Sequence, residues 1–172
     1  AIVWGKPILV AAEKGSWLTN ASLLPLKDGR LLYFWNDRPM AAVKYGRTAA
    51  PPGRLIQPIR IMMADSADDG RTWSQSRAIY VAGPSFLDGC WEPAALQLPT
   101  GEVQVYFSNE KPFETTDEQE IDLLRSWNGG KTWSGAQRVS LRAEHRDGMP
   151  NPVLLSGSRG IAVAIEDHGV AG

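Results

Sequence analysis

The sequence predicts an all-β chain of four-stranded antiparallel units, the arrangement of a β-propeller. Helical periodicity is absent, and short apolar runs alternate with turn signals throughout. Three segments share one shape: an apolar strand, a tight glycine turn and a second apolar strand. A nine-residue turn then occurs twice, as SADDGRTWS (66–74) and SWNGGKTWS (126–134). Repeats of four strands with a recurring turn are the sequence mark of a propeller. The 17 glycines, 12 prolines and 7 tryptophans fit many turns anchored by large aromatics.

The elements follow in order. The first hairpin is ASLLPLKDGRLLYFWND (21–37), turning at Asp28-Gly29. The strand IRIMMAD (59–65), the first nine-residue turn and the strand RAIYVAG (77–83) complete a blade over about 20–83. The second hairpin is AALQLPTGEVQVYFSNE (94–110), turning at Thr100-Gly101. It is followed by EIDLLR (120–125), the second turn and QRVSLRA (137–143), a blade over about 92–143. A third hairpin, PVLLSGSRGIAVAIED (152–167), turns at Ser156-Gly157 and opens a third blade over 149–172. Glycine supplies the positive φ that such hairpins need. Two blades and the start of a third cannot close a ring. The expectation is therefore a partial propeller, its remaining blades coming from further sequence or another chain. The Pro/Gly-rich loop at 44–58 is long enough either to cover a pocket or merely to join strands.

The repeated turn reads as structural. Asp68 and Asn128 are placed to hydrogen-bond nearby amides and hold the bend, with Ser66 and Ser126 opening it. Gly70 and Gly130 take conformations closed to other residues. Trp73 and Trp133 are expected to pack under the turn and pin it to the blade.

Composition removes several functions. With 18 basic and 19 acidic residues the net charge is −1, which argues against nucleic acid as the main partner. One cysteine, Cys90, excludes an intrachain disulfide and a Cys-rich zinc site. Two histidines, His145 and His168, make a His-rich metal site improbable, so neither metal nor cofactor is expected. No apolar run reaches the length of a membrane span. The start, AIVWGKPILV, carries no basic stretch leading into a long apolar core, so no signal peptide is visible in it.

Aligning the hairpins locates the chemistry. Asn20, Glu92 and Met149 occupy matching positions at the entry to the first strand, and Asn36, Ser108 and Glu166 at the exit of the second. Antiparallel pairing brings entry and exit to one rim. Glu92 and Glu166 thus come from successive blades and are expected to face one pocket. Each has apolar neighbours, Trp91 and Pro93 for one, Ala164 and Ile165 for the other. Two converging carboxyls suit glycoside hydrolysis: one protonates the leaving oxygen, the other attacks the sugar or activates water. An apolar neighbour such as Trp91 is a means of raising the acid's pKa. The alternative is a pair of solvated rim charges. Around them, Ser108, Asn109 and Glu110 are placed to bond sugar hydroxyls or simply to cap a strand. Asn36, Asp37 and Arg38 end the first hairpin similarly, with Asp37 and Arg38 free to pair with each other. Trp35 and Trp91 are sugar-stacking or core residues.

The nine-residue turn resembles the Asp-box, or BNR repeat, of the sialidase-like propellers. Within that superfamily, CWEP (90–93), YFSNE (106–110), EQEI (118–121), RDGMP (146–150) and AIED (164–167) resemble the exo-1,5-α-L-arabinanase-like branch. The resemblance implies a six-bladed fold of which this chain covers about half. It implies an exo-acting, retaining hydrolase of a neutral glycan such as arabinan, with Glu92 as acid/base and Glu166 as nucleophile. It adds Gln119 and Arg146 to the candidate binding residues Asn20, Asn36, Asp37, Arg38, Trp91, Ser108 and Glu110. A secreted or periplasmic location is implied in the same way. Two rivals remain. A sialidase would hold its substrate carboxylate with three arginines, yet the matching first-blade stretch Leu18-Thr19-Asn20-Ala21-Ser22 has none, although Asp37 lies near the place of the sialidase aspartate. A non-catalytic carbohydrate-binding propeller is the other, since the fold tolerates loss of chemistry.

Overall fold

A computed structural model describes residues 3–39, 57–83, 88–113, 115–158 and 160–169. It is all-β: no α-helix occurs among the described residues, whose 3-10 turns include Lys111–Phe113 and Ser156–Ser158. Most of the loop at 44–58 lies outside the described residues.

The strands are β1 (Ser16–Pro25), β2 (Leu31–Pro39), β3 (Arg60–Ser66) and β4 (Arg77–Val81), forming one antiparallel sheet in that order. A second sheet has β5 (Cys90–Gln97), β6 (Val103–Asn109), β7 (Glu120–Ser126) and β8 (Gln137–Ser140) in the same simple order. β9 (His145–Leu154) and β10 (Ile161–Gly169) form a hairpin. The fold is that of propeller blades. The expected turns close it: Gly29 N–H donates to Leu26 O at 3.0 Å and Gly101 N–H to Leu98 O at 3.0 Å.

The central strands are buried on both faces, which is why β6 (VQVYFSN) does not alternate apolar with polar. Val103, Val105 and Phe107 join Leu32, Phe34, Ile61 and Met63 in a core between the two sheets. Tyr106 on the other face of β6 packs with Leu96, Ile121 and Leu123 against Ile161, Val163 and Ile165 of the hairpin. Each fully buried large side chain here contributes roughly 1.5–3 kcal/mol. The sheets are therefore joined in series by apolar faces.

The two nine-residue turns have nearly identical bonding. Ser66 and Ser126 accept from the Gly70 and Gly130 amides at 2.9 and 2.8 Å. Asp68 Oδ1 and Asn128 Oδ1 accept from the Thr72 and Thr132 amides at 2.8 and 2.9 Å. Trp73 and Trp133 donate Nε1–H to the Gly70 and Gly130 carbonyls. The second turn also does something that its residues alone did not indicate. Trp133 packs edge-on against Phe34 of the first sheet at 5.9 Å, and Arg77 donates to Gly130 O at 2.9 Å. The turn thus clamps neighbouring blades together as well as bracing its own. A Cβ at Gly130 would stand 3.1 Å from Leu32 and 3.2 Å from Met63, so glycine is needed for that close approach as well as for φ +86°.

The first turn makes a testable pH prediction. Hydrogen bonds from the Thr72 hydroxyl and amide, then from Ser66, hold the Asp68 carboxyl down at about 2. Its unfolded value is about 3.9. The contribution is therefore fully present above about pH 4 and lost as pH falls through about 2. Asp68→Asn is expected to retain the turn, as Asn128 does in the second copy. It should flatten the acid limb of a plot of melting temperature against pH between about 4 and 2. An unchanged acid limb would show that Asp68 does not set it.

Candidate active site

The site is built from an irregularity that recurs in all three hairpins. Each first strand carries a bulge, between Thr19 and Ser22, between Trp91 and Ala94, and in β9 opposite Ala164 and Glu166. At each bulge one non-glycine residue is left-handed: Asn20 (φ +53°), Glu92 (φ +58°) and Met149 (φ +47°). Such a residue costs about 1–2 kcal/mol, and bulges serve to re-aim side chains. These are the three positions that the hairpin alignment matched. Register confirms the shared rim, pairing Thr19 with Asn36, Trp91 with Ser108, and Gly148 with Glu166.

The second and third bulges are held by side chains of the preceding unit, and the first by Asn36 of its own hairpin. Asn36 Oδ1 accepts the Glu92 amide at 2.8 Å and the Asn20 side-chain amide at 3.2 Å, while Asn36 Nδ2 donates to Cys90 O at 2.8 Å. Glu92 repeats the pattern one unit on: its Oε2 accepts the Met149 amide at 2.7 Å and the Ser108 hydroxyl at 3.2 Å. Both bonds fall on one oxygen, which leaves Oε1 with no donor among the described residues. The carboxylate is thus fixed in orientation with one oxygen available.

Glu110, almost fully buried, forms a second anchored carboxylate. Its Oε2 accepts from Trp91 Nε1 at 2.9 Å and from the Gly89 amide at 3.2 Å, and its Oε1 pairs with Arg146. Arg146 also donates to Gln119 Oε1 at 3.1 Å and to the Asp117 carbonyl. Gln119 Nε2 in turn donates to Asp147 O at 2.8 Å. This network ties the second sheet to the β9–β10 hairpin and sets where Glu166 stands. The Glu166 side chain lies against Gly148, where a Cβ would meet its Cγ and Oε1 at 3.2 Å, and His168 Nε2 is 3.5 Å from Glu166 Oε1.

Trp91, Glu92, Glu110, Gln119, Arg146, Glu166 and His168 together line one open cavity of about 290 Å³. Six of the seven are residues singled out from sequence. Others require correction. Asn36 and Ser108 are fully buried and bond to protein, so they position Glu92 instead of facing a ligand. Asp37 does not pair with Arg38 but with Arg60, its register partner on β3, and is 3% exposed. Arg38 stacks between the Trp17 and Trp91 rings, 5.4 Å from each centroid. Trp35 belongs to the core with Met62 and Ala64. Asn20 braces Asn36 at the exposed rim.

Sequence reasoning missed His168, Gly89 and Gly148. His168 lies two residues beyond Glu166 on the same strand, the spacing that shares a face, and that signal was readable. The glycines were not readable as site residues. A Cβ at Gly89 would stand 2.5 Å from the Trp91 ring, a contact visible only in the fold.

The fold is that of the sialidase-like propellers, as comparison with solved structures shows. A Hadza microbial sialidase superposes with a TM-score of 0.61 at 18% identity, over 86% of this chain and 32% of its own. An α-L-arabinanase of Penicillium chrysogenum, solved with arabinobiose, gives 0.52 at 16% identity, over 87% of this chain and 62% of its own. An N-acetylgalactosamine deacetylase from F. plautii gives 0.64 at 8% identity, over 92% and 47%. The chain thus spans a third to three fifths of these proteins' lengths. No protein-family model and no curated protein sequence matches it.

Proposed function

We propose that this chain supplies the catalytic rim of a glycoside hydrolase, exo-acting and retaining, on a neutral glycan such as arabinan. One observation carries the reading: Glu92 and Glu166, from successive units, line one cavity, and Glu92 is presented there by a strained bulge. In the first step a Glu166 oxygen attacks the anomeric carbon. The glycosidic C–O bond breaks as Glu92 gives its proton to the leaving oxygen. In the second step Glu92 takes a proton from water, which attacks the same carbon and releases Glu166. Trp91, held by Arg38 and Glu110, lines the cavity beside the pair, and Arg146 and Gln119 shape the wall.

The anchoring of Glu92 supports the acid/base role. A group that gives and then takes a proton must keep its position through both steps, and two protein donors hold Oε2 while Oε1 remains available. A sialidase is less well supported. Its substrate carboxylate needs an arginine cluster, whereas Arg146 is the one arginine lining the cavity among the described residues and already pairs with Glu110. Asp37, the nearest match to the sialidase aspartate, is buried against Arg60.

The test uses the protein that contains this chain. Incubated with linear arabino-oligosaccharides and followed by proton NMR, it is expected to release sugar whose first-formed anomer retains the substrate's configuration. Inversion would require a wider carboxyl pair, about 6.5–9.5 Å apart in place of about 5–5.5 Å. Cleavage of sialosides alone would replace the reading with a sialidase. Binding without any turnover would make the site a lectin.

A further inference from the structure

The nine-residue turns are alike in bonding but differ at their second residue. The first has Ala67, and the second has Trp127. Ala67 shows that the turn itself asks for nothing large there. Trp127 is 67% exposed, and no hydrogen bond or ring contact involves it among the described residues. An exposed indole with no structural task is an observation that asks for a ligand.

Trp127 borders an open cavity of about 460 Å³ between the tips of the first two hairpins and the second turn. Its walls are polar and already braced. Arg30 bonds Asp28 through Nε at 3.0 Å and Gly129 O through Nη2 at 3.2 Å. Gln97 accepts the Lys27 amide at 2.8 Å and donates to Gly101 O at 3.2 Å. Gly129 takes φ +66° and lets the Arg30 guanidinium lie close against its backbone. Lys131 adds an ammonium with no ion pair among the described residues.

We propose that this cavity is a carbohydrate-binding site, separate from the rim that carries Glu92 and Glu166. A sugar ring has an apolar C–H face and a rim of hydroxyls. Trp127 offers the flat apolar surface, and Asp28, Gln97 and Lys131 surround it with donors and acceptors. A protein partner is the poorer fit, because an interface core needs several apolar residues and Trp127 stands here without an aliphatic neighbour in the lining. Arg30 neutralises Asp28, leaving Lys131 as the net charge, which suits a neutral sugar or a single uronate. The site lies at the opposite end of the strands from the rim. The seven residues of β6 span the two ends, about 20 Å apart. A glycan held there does not compete with one at Glu92.

The experiment is fluorine NMR of the full protein labelled with 5-fluorotryptophan, the Trp127 signal being identified by its absence in Trp127→Ala. That variant carries the residue found in the first turn, so its melting temperature should stay close to wild type. Hexasaccharides of arabinose, xylose, mannose and galactose, and of galacturonate, are titrated separately. The expected result is a saturable shift of the Trp127 signal with at least one of them. Trp127→Ala should weaken that binding by about tenfold, the effect of losing one aromatic contact. The galacturonate arm tells an acidic ligand from a neutral one. The proposal is overturned if no sugar moves the Trp127 signal, or if Trp91 alone responds. It is equally overturned if Trp127→Ala abolishes self-association of the protein, which would make the patch an interface between copies.

Discussion

Replacing Glu166 with glutamine is expected to lower turnover of an arabino-oligosaccharide by roughly 10³-fold or more, because an amide oxygen neither attacks the anomeric carbon nor leaves it readily. The fold should survive. Glu166 is half exposed, its ion-pair partner among the described residues is His168 at 3.5 Å, and glutamine has nearly the same shape against Gly148. Substrate binding, read as KM, should change far less than kcat, since uniform binding is left intact. A Glu166→Gln protein within tenfold of wild type would remove Glu166 from the reaction. A variant that had merely unfolded would be recognised by a lost melting transition.

Glu92→Gln should behave differently, and the difference identifies the acid. General acid catalysis contributes about 10²–10⁴-fold. That loss should appear in full with a sugar leaving group and shrink with an aryl leaving group such as 4-nitrophenolate, which departs without a proton. Glutamine keeps a carbonyl oxygen to accept from the Met149 amide and the Ser108 hydroxyl, so the β9 bulge should persist. Glu92→Leu serves as the control. It removes the acceptor as well as the acid, leaves the exposed Met149 amide to bond water, and should cost about 0.5–1.5 kcal/mol of stability beyond Glu92→Gln. If the two variants were equally stable, and both cleaved natural and aryl substrates at similar rates, Glu92 would be neither the acid nor the brace of that bulge.

Those expectations rest on a division of labour among residues that look alike in the chain. Asn36, Ser108 and Glu166 occupy one repeat position, yet the first two are sealed beneath the cavity and only the third reaches it. The next unit covers Asn36, whose side chain bonds the Glu92 amide and the Cys90 carbonyl, whereas no described unit follows Glu166. The bulge has a separate effect. It turns the residue after Trp91 toward the cavity and lets the preceding unit's side chain receive its amide.

By itself the sequence determined the strand order, the hairpin turns and the shared rim. These depend on interactions close along the chain: apolar runs, glycines that allow positive φ, and antiparallel pairing across short turns. Of the residues lining the rim cavity, Glu92 and Glu166 followed from equivalent places in successive repeats and Trp91 and Glu110 from their positions beside that rim, whereas Gln119 and Arg146 came only from the family resemblance. The tertiary structure decided what each residue touches. Asp37 and Arg38 are neighbours in sequence, but adjacent strand residues point to opposite faces. One therefore meets Arg60 across the sheet and the other meets Trp91 of the next unit. Asn36 and Glu92 meet across 56 residues, and Trp133 reaches back to Phe34. No local pattern encodes such contacts. They exist because apolar faces pack the sheets together in series, and that packing sets which side chain of one blade lies against which backbone of the next.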